Sequence, residues 1–517
     1  MKPRGVPLSH RCCGWLVFGE MLCALLACEV FGESEAKIRW DTGSVAGPAR
    51  DCGLPRLGRI RVRRSDEISG SRWGVSCHWI ADEHPLSVAK RLDQLSATGA
   101  KWALLAPDWG RIEQEKGKYD WNTPSHRFDD VVNGMVSRKI APVIQIYGGN
   151  RLYMPAGPDP NKRPLADAAL LLGDPEVRQA WHRFLEALVR RYQGQVRFWE
   201  IWNEPNYVGF WKTPTSIEDY GRLVKAAAGV VKRVQPEAVI LAGSTANVPL
   251  DYLKTFLASA GVGSFDYWSV HPYGALPEAA DAPIRAAREL LRAGGKSPVL
   301  WQSECGFPSS GDTGGWGFGG PWDGTKHAKW LLRRLLCDAS LDMRVSIYFV
   351  LHDYPSLLEA GPDRGQMGIN RKGLYGYGSW EPKPAAHAFA HLSSLLDDRF
   401  EPAVASPPIG LEITANGSLT TPNTGLIKTH RLKHKASGRT AFVYWLGVPM
   451  ATTFRPARLT VTWPAAKLAQ PVLVDLLDGG VYALPDDGRA GQCRFENLPL
   501  ADSPLVVCDR TMVELTP

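Results

Sequence analysis

The sequence predicts an α/β fold, a (β/α)8 TIM barrel with a C-terminal β-sandwich domain, on three observations. Between residues 72 and 398 short apolar strands alternate with amphipathic helices, the pattern of a parallel sheet. The alternation supplies eight strands, which fits a closed barrel better than an open sheet. After Phe400 helical periodicity disappears and turn-rich strands take over.

In chain order, strands are expected at 73–79, 102–109, 142–147, 196–202, 239–243, 267–273, 299–303 and 345–351. Helices are expected at 85–97, 129–138, 175–192, 216–234, 279–293, 326–339 and 384–396. The sandwich, residues 399–517, has strand patterns at 439–446, 457–463, 472–475, 480–484 and 505–507. Residues 37–71 form an N-terminal extension in which Ile60 and Val62 alternate with Arg59, Arg61 and Arg63, so it is expected to add a strand to the sandwich.

Residues 1–36 have the pattern of an export signal: Lys2, Arg4 and Arg11 precede a largely apolar stretch from Cys12 to Val30, interrupted by Glu20. That stretch is too short and broken for a membrane span. Leu25-Leu26-Ala27-Cys28 resembles a lipoprotein cleavage box, which would leave a lipid anchor on Cys28; ordinary cleavage near Gly32 and a misplaced start codon are the alternatives. The expected location is therefore periplasmic, extracellular or membrane-anchored.

Composition excludes several classes. Apolar residues at 44% and charged residues at 22% are the values of a globular protein. The net charge of +7 is spread among acidic residues, and the two basic runs, Arg59 to Arg64 and Lys428 to Lys435, are read as solvated strand edges, so no nucleic-acid partner is expected. Of ten cysteines, Cys12, Cys13, Cys23 and Cys28 fall in the export segment, and the other six lack metal-ligand spacing. Cys493 and Cys508 flank two strands expected to be neighbours; they are either a disulfide in an exported protein or two buried thiols. No metal or cofactor is implied.

The chemistry-bearing segments are Val196 to Asn206 (VRFWEIWNEPN) and Pro298 to Pro308 (PVLWQSECGFP). Each is an apolar strand that runs into a glutamate and then a turn. In a parallel barrel the reacting groups stand at the C-terminal strand ends, so Glu204 on strand four and Glu304 on strand seven would both reach the mouth. A pair of carboxyl groups is what acid-assisted cleavage of a glycosidic bond requires. Asn203 offers an amide for a sugar 2-hydroxyl, and because strand neighbours point to opposite faces, a bulge or turn must break the alternation there. His271 and Tyr273, two apart at the end of strand six, share a face beside strand seven, where a tyrosine hydroxyl would favour an ionised Glu304. His78 and Trp79 at the end of strand one, and Trp380 before the last helix, are the remaining substrate-binding candidates. Glu113, Asp108, Asp353 and Glu381 could face the cleft without forming a matched pair, and Glu200 is expected to make a structural hydrogen bond inside the barrel.

With these residues in view, the chain resembles the clan of (β/α)8 retaining glycoside hydrolases, and most closely glycoside hydrolase family 39. WNEPN, WQSECGFP, WGRIEQEKGKYDW (Trp109 to Trp121) and IYGGNRLY (Ile146 to Tyr153) are the matching segments. The resemblance implies retention of configuration through a covalent glycosyl-enzyme on a carbohydrate substrate, with Glu204 as acid/base, Glu304 as nucleophile, Asn203 on the 2-hydroxyl and Tyr273 as partner of Glu304. Two departures stand out: the position of an arginine common on strand two is Leu104, and the strand-eight tryptophan is missing from YFVLHDY (Tyr348 to Tyr354). A catalytically lapsed carbohydrate-binding barrel is the alternative that these departures motivate. The lack of repeats argues against a scaffold protein.

Overall fold

The computed structural model describes residues 45–154, 168–211, 216–259, 262–310, 321–356, 368–403, 407–464, 468–485 and 492–516. The expected export segment, with Cys28, lies outside them.

Eight parallel strands close a barrel in chain order: Trp73–Ser76, Trp102–Leu105, Ala141–Ile146, Phe198–Ile201, Val239–Ala246, Tyr267–His271, Leu300–Cys305 and Ser346–Tyr348. The last strand pairs back onto the first, Ile347 opposite Gly74. A Cβ on Gly74 would lie 2.8 Å from the Trp102 Cβ, so only glycine fits this approach.

Alternation along the strands stacks the interior in layers. Trp102, Phe198 and Trp301 meet ring to ring in the lower part, their centroids 5.0 to 5.3 Å apart, with Leu104, Val143, Leu241 and Ile347 filling the same cluster. Two residues further along, the inward positions turn polar: Gln145, Glu200, Ser244, Ser269 and Ser303 are all fully buried. The apolar plug excludes water from below, and the polar layer is left to hold whatever stands above it.

The expected helices form at Val88–Ala97, Phe128–Ser137, Pro175–Tyr192, Ile217–Val234, Asp281–Ala293, Gly324–Ser340 and Pro384–Leu395. Pro175–Tyr192 shows why: Asp174 caps the N–H groups of Glu176 and Val177, proline opens the first turn, and Val177, Trp181, Phe184 and Leu188 face the barrel. An additional helix, Leu250–Ala258, joins strands five and six.

The C-terminal region packs a seven-stranded sheet against a three-stranded one. Phe442, Tyr444, Leu473 and Leu505 of the first meet Leu459, Val461, Trp463 and Phe495 of the second. Arg56–Arg59 forms the edge strand of the larger sheet, so the extension does add a strand, a few positions before the alternation that suggested it.

Three expectations need correction. Arg63 is not solvated: it is buried in an ion pair with Asp397 at 2.6 Å. Lys428 to Lys435 overlaps a strand, Ile427–His434, that pairs along its length with Thr440–Leu446 and at its end with Phe400–Pro402, so the run is largely inside the sheet. Lys433 and Lys435 are exposed while His430 and Leu432 are buried. Cys493 and Cys508 belong to different sheets, opposite Trp463 and Val472 respectively, and no disulfide joins them.

The barrel and sandwich meet along Gly324–Ser340. Arg333 makes a two-pronged pair with Glu278 at 2.8 and 2.6 Å, Trp445 donates to the same carboxylate at 2.7 Å, and Lys329 reaches Asp502 at 2.8 Å. The Arg333 and Glu278 side chains are 0% and 4% exposed. Glu278→Ala leaves a buried guanidinium without its counter-charge, and the expected loss of stability is about 3–5 kcal/mol, read as a lower denaturant midpoint.

Candidate active site

Both glutamates reach the barrel mouth because the strand alternation breaks. Strand four ends at Ile201, and Trp202 and Glu204 then take φ of 73° and 42°, left-handed values unusual for side chains of this size. The turn is held by neighbours: Glu204 N–H donates to the Ser244 carbonyl at 2.8 Å, and Asn206 exchanges two hydrogen bonds with Ala246 at 2.9 and 3.0 Å. Asn203 and Glu204 can thus both serve one site. On strand seven the register against strand eight shifts between Gln302 and Cys305, which brings Glu304 to the mouth although Ser303 is the inward residue below. Gly306 makes the exit possible, since a Cβ there would lie 1.8 Å from the Phe349 carbonyl oxygen.

Each glutamate has its own hydrogen-bond partner. Tyr273 donates its hydroxyl to Glu304 Oε1 at 2.8 Å, and His271 Nδ1 lies 3.1 Å from Glu204 Oε1. Burial, reinforced by the charge of Glu304, pushes the Tyr273 hydroxyl well above its ordinary pKa, so it remains a donor. Burial works against a proton on His271, but the carboxylates of Glu304 and Glu204 outweigh it and raise the ring's pKa. The other ring nitrogen faces Ser244 Oγ at 3.0 Å and Ser303 Oγ at 3.2 Å.

One atom from each of Glu204, His271 and Glu304 lies within 4.8 Å of the other two. A cation could use such spacing, but both ring nitrogens and both glutamates are engaged by protein partners. The trio is two glutamates, Glu304 held by Tyr273 and Glu204 by His271.

Gln145 organises the floor. Its amide nitrogen donates to Glu200 at 2.9 Å and Asn203 Oδ1 at 3.3 Å, while its oxygen faces His78 Nε2 at 3.1 Å. With Oδ1 engaged, Asn203 keeps its amide donor for a ligand. Glu200 also accepts from Ser269 at 2.6 Å, the structural role expected of it.

The mouth opens into a cleft of about 1350 Å³ lined by, among others, His78, Trp79, Asn203, Glu304 and Phe349. Two expected ligands are elsewhere. His271 is fully buried under the glutamates, so it positions Glu204 and does not touch a sugar. Trp380 does not line this cleft; it packs on His84 with ring centroids 4.3 Å apart. Glu113 and Asp108 are on the wall, Glu113 tied to Trp109 at 2.6 Å and Gly117 N–H at 2.7 Å, while Asp353 is buried against Lys383 at 2.7 Å and Glu381 is exposed.

No protein-family model matches the sequence. Over 107 residues it is 36% identical to a β-xylosidase of Caldicellulosiruptor saccharolyticus, a match covering 19% of this chain and 22% of that protein. The chain thus spans about a fifth of that curated relative. Among solved structures, a family 39 glycoside hydrolase from the gut symbiont Bacteroides cellulosilyticus WH2 is similar with a TM-score of 0.61 at 19% identity, over 88% of this chain and 83% of that one. A monomeric β-xylosidase from Caulobacter crescentus CB15 gives 0.52 at 14% identity, over 88% and 97%. This chain has the fold of the family 39 glycoside hydrolases.

On this family 39 fold the departures noted in the sequence acquire a physical form. Leu104 is fully buried in the apolar plug, and among the described residues neither glutamate is ion-paired with an arginine or lysine. Where a strand-eight tryptophan was missing, Phe349 lines the cleft, following Tyr348 at the strand end. Lys372, which no sequence pattern singled out, is buried with its Nζ 5.7 Å from the Tyr273 ring and 5.9 Å from the Phe349 ring. Gln145 was overlooked too, although a lone amide inside the apolar APVIQIY segment was a visible clue.

The hydrogen bond from Tyr273 stabilises a charged Glu304, and such bonds contribute about 1.5–3 kcal/mol. Tyr273→Phe is therefore expected to lower kcat/KM by roughly ten- to a hundredfold.

Proposed function

We propose that this protein is a retaining β-glycosidase that cleaves poly- or oligosaccharides by double displacement. The observation that supports it most is the closeness of the two carboxyl groups, each with a distinct partner: an oxygen of one lies within 4.8 Å of an oxygen of the other, short of the roughly 6.5–9.5 Å that admits a water between the carboxyl groups of inverting enzymes.

In the first step a Glu304 oxygen bonds to the anomeric carbon as the bond from that carbon to the leaving oxygen breaks. Glu204 gives its proton to that oxygen. In the second step Glu204, now ionised, takes a proton from water, the water oxygen bonds to the anomeric carbon, and Glu304 departs as carboxylate. Tyr273 holds Glu304 in line and in its charged form, and His271 holds Glu204. The Asn203 amide would bind the 2-hydroxyl, strengthening its grip as positive charge grows on the ring.

The proteins that share the fold or a stretch of sequence include β-xylosidases, so β-xylosides are the first glycosides to try. The test is hydrolysis of an aryl β-glycoside panel (xyloside, glucoside, mannoside, galactoside, arabinoside) with NMR observation of the first-formed anomer. Release of the β-anomer supports the proposal; release of the α-anomer refutes it. That neither glutamate is ion-paired with an arginine among the described residues favours one second reading, a binding barrel without turnover. Sugar binding without hydrolysis on the panel or on polysaccharides would establish that reading.

A further inference from the structure

The cleft is larger than one sugar needs. At about 1350 Å³ it exceeds the 300–1,000 Å³ usual for a small-ligand pocket. Its wall runs from Glu304 past Phe349 and around the ends of strands one, two and three to Asn203, while Glu204 is not on it. The space therefore lies on the side of the sugar that stays bound to Glu304, away from the acid that releases the leaving group.

This extension has an apolar platform and a polar rim. Trp79 is 42% exposed, unusual for so large a ring, and is steadied by Tyr354 with centroids 4.1 Å apart. Opposite chemistry is fixed close by: Asp82 accepts from His126 Nδ1 at 2.8 Å and pairs with Arg111 at 3.4 Å, and Arg111 pairs with Asp108 at 3.4 Å. Arg111 also donates to the Ser125 carbonyl at 2.6 Å, and the His126 ring contacts the Asp108 N–H at 3.2 Å. All four polar side chains line the cleft. A flat aromatic face beside charged groups already held in place suits a pyranose, whose C–H face stacks while its hydroxyls bridge fixed donors and acceptors.

We infer that Trp79 and Tyr354, with Asp82, Asp108, Arg111 and His126, form a second sugar subsite on the glycone side, so that the chain takes β-linked oligosaccharides with at least one unit beyond the reacting sugar. The inference rests on the glycosidase reading for its direction along the chain, and it replaces removal of single terminal sugars with release of disaccharides or longer pieces.

The test is calorimetric titration of the full chain in a Glu304→Gln background with β-1,4-linked xylo-, cello- and manno-oligosaccharides of one to four units. In at least one series affinity rises about tenfold or more from the monosaccharide to the trisaccharide, and Trp79→Ala or Arg111→Met erases most of that ratio while Trp79→Phe keeps it. Affinity that does not grow with length, growth that survives both substitutions, or no binding in any series overturns the subsite. Because the readout is binding, it separates from the glycosidase reading: an inactive wild type with length-dependent binding sinks only catalysis, and hydrolysis without length dependence sinks only the subsite.

Discussion

Replacing Glu304 with glycine is expected to lower kcat/KM on an active aryl β-glycoside by a factor on the order of ten thousand or more, since the reaction then lacks the group that forms the covalent bond. Azide, small enough to occupy the vacated space, should restore turnover and give a glycosyl azide of inverted configuration. The expectation rests on the position of Glu304: at the mouth, hydrogen-bonded by Tyr273, and seated where the strand-seven register shifts. Activity that persists in the variant without azide would remove Glu304 from the nucleophile's role.

The second large effect belongs to Glu204 and depends on the leaving group. Glu204→Ala is expected to slow hydrolysis of poorly activated glycosides by about a hundred- to ten-thousandfold, the usual worth of general acid catalysis. With a leaving group as acidic as dinitrophenol, which needs no proton, the first step should be nearly unaffected and an intermediate should accumulate. Equal losses on good and poor leaving groups would contradict the assignment.

Much of this was legible in the sequence because barrel strands are short apolar runs with distinct ends. The segments ending in Asn203-Glu204-Pro205 and Glu304-Cys305-Gly306 showed that two glutamates follow such runs, and the required break in alternation is present at Trp202 and between Gln302 and Cys305. The polar layer was legible only at Glu200. Gln145, Ser244 and Ser303 serve the site through contacts between strands, and a sequence shows only neighbours along one strand. His271 was placed correctly on strand six, but its burial beneath Glu204 depends on how far that strand projects relative to strands four and five. Trp380 was misplaced because loop direction is set by partners such as His84, far away in the chain.

The sandwich was harder still. The charges of Ile427–His434 suggested a solvated strand edge, whereas the strand lies inside the sheet, paired with Thr440–Leu446 along its length and with Phe400–Pro402 at its end. The distance in sequence between Cys493 and Cys508 suggested adjacent strands, whereas the chain crosses from one sheet to the other between them.

The central claim is a covalent glycosyl-enzyme on Glu304. Incubating the protein with a dinitrophenyl 2-deoxy-2-fluoro-β-glycoside of the sugar it hydrolyses, followed by peptide mass spectrometry, tests it most directly. The account predicts time-dependent inactivation with one fluorosugar per chain, attached to Glu304. A label on any other residue, or hydrolysis that continues without a label while releasing the inverted anomer, would contradict it.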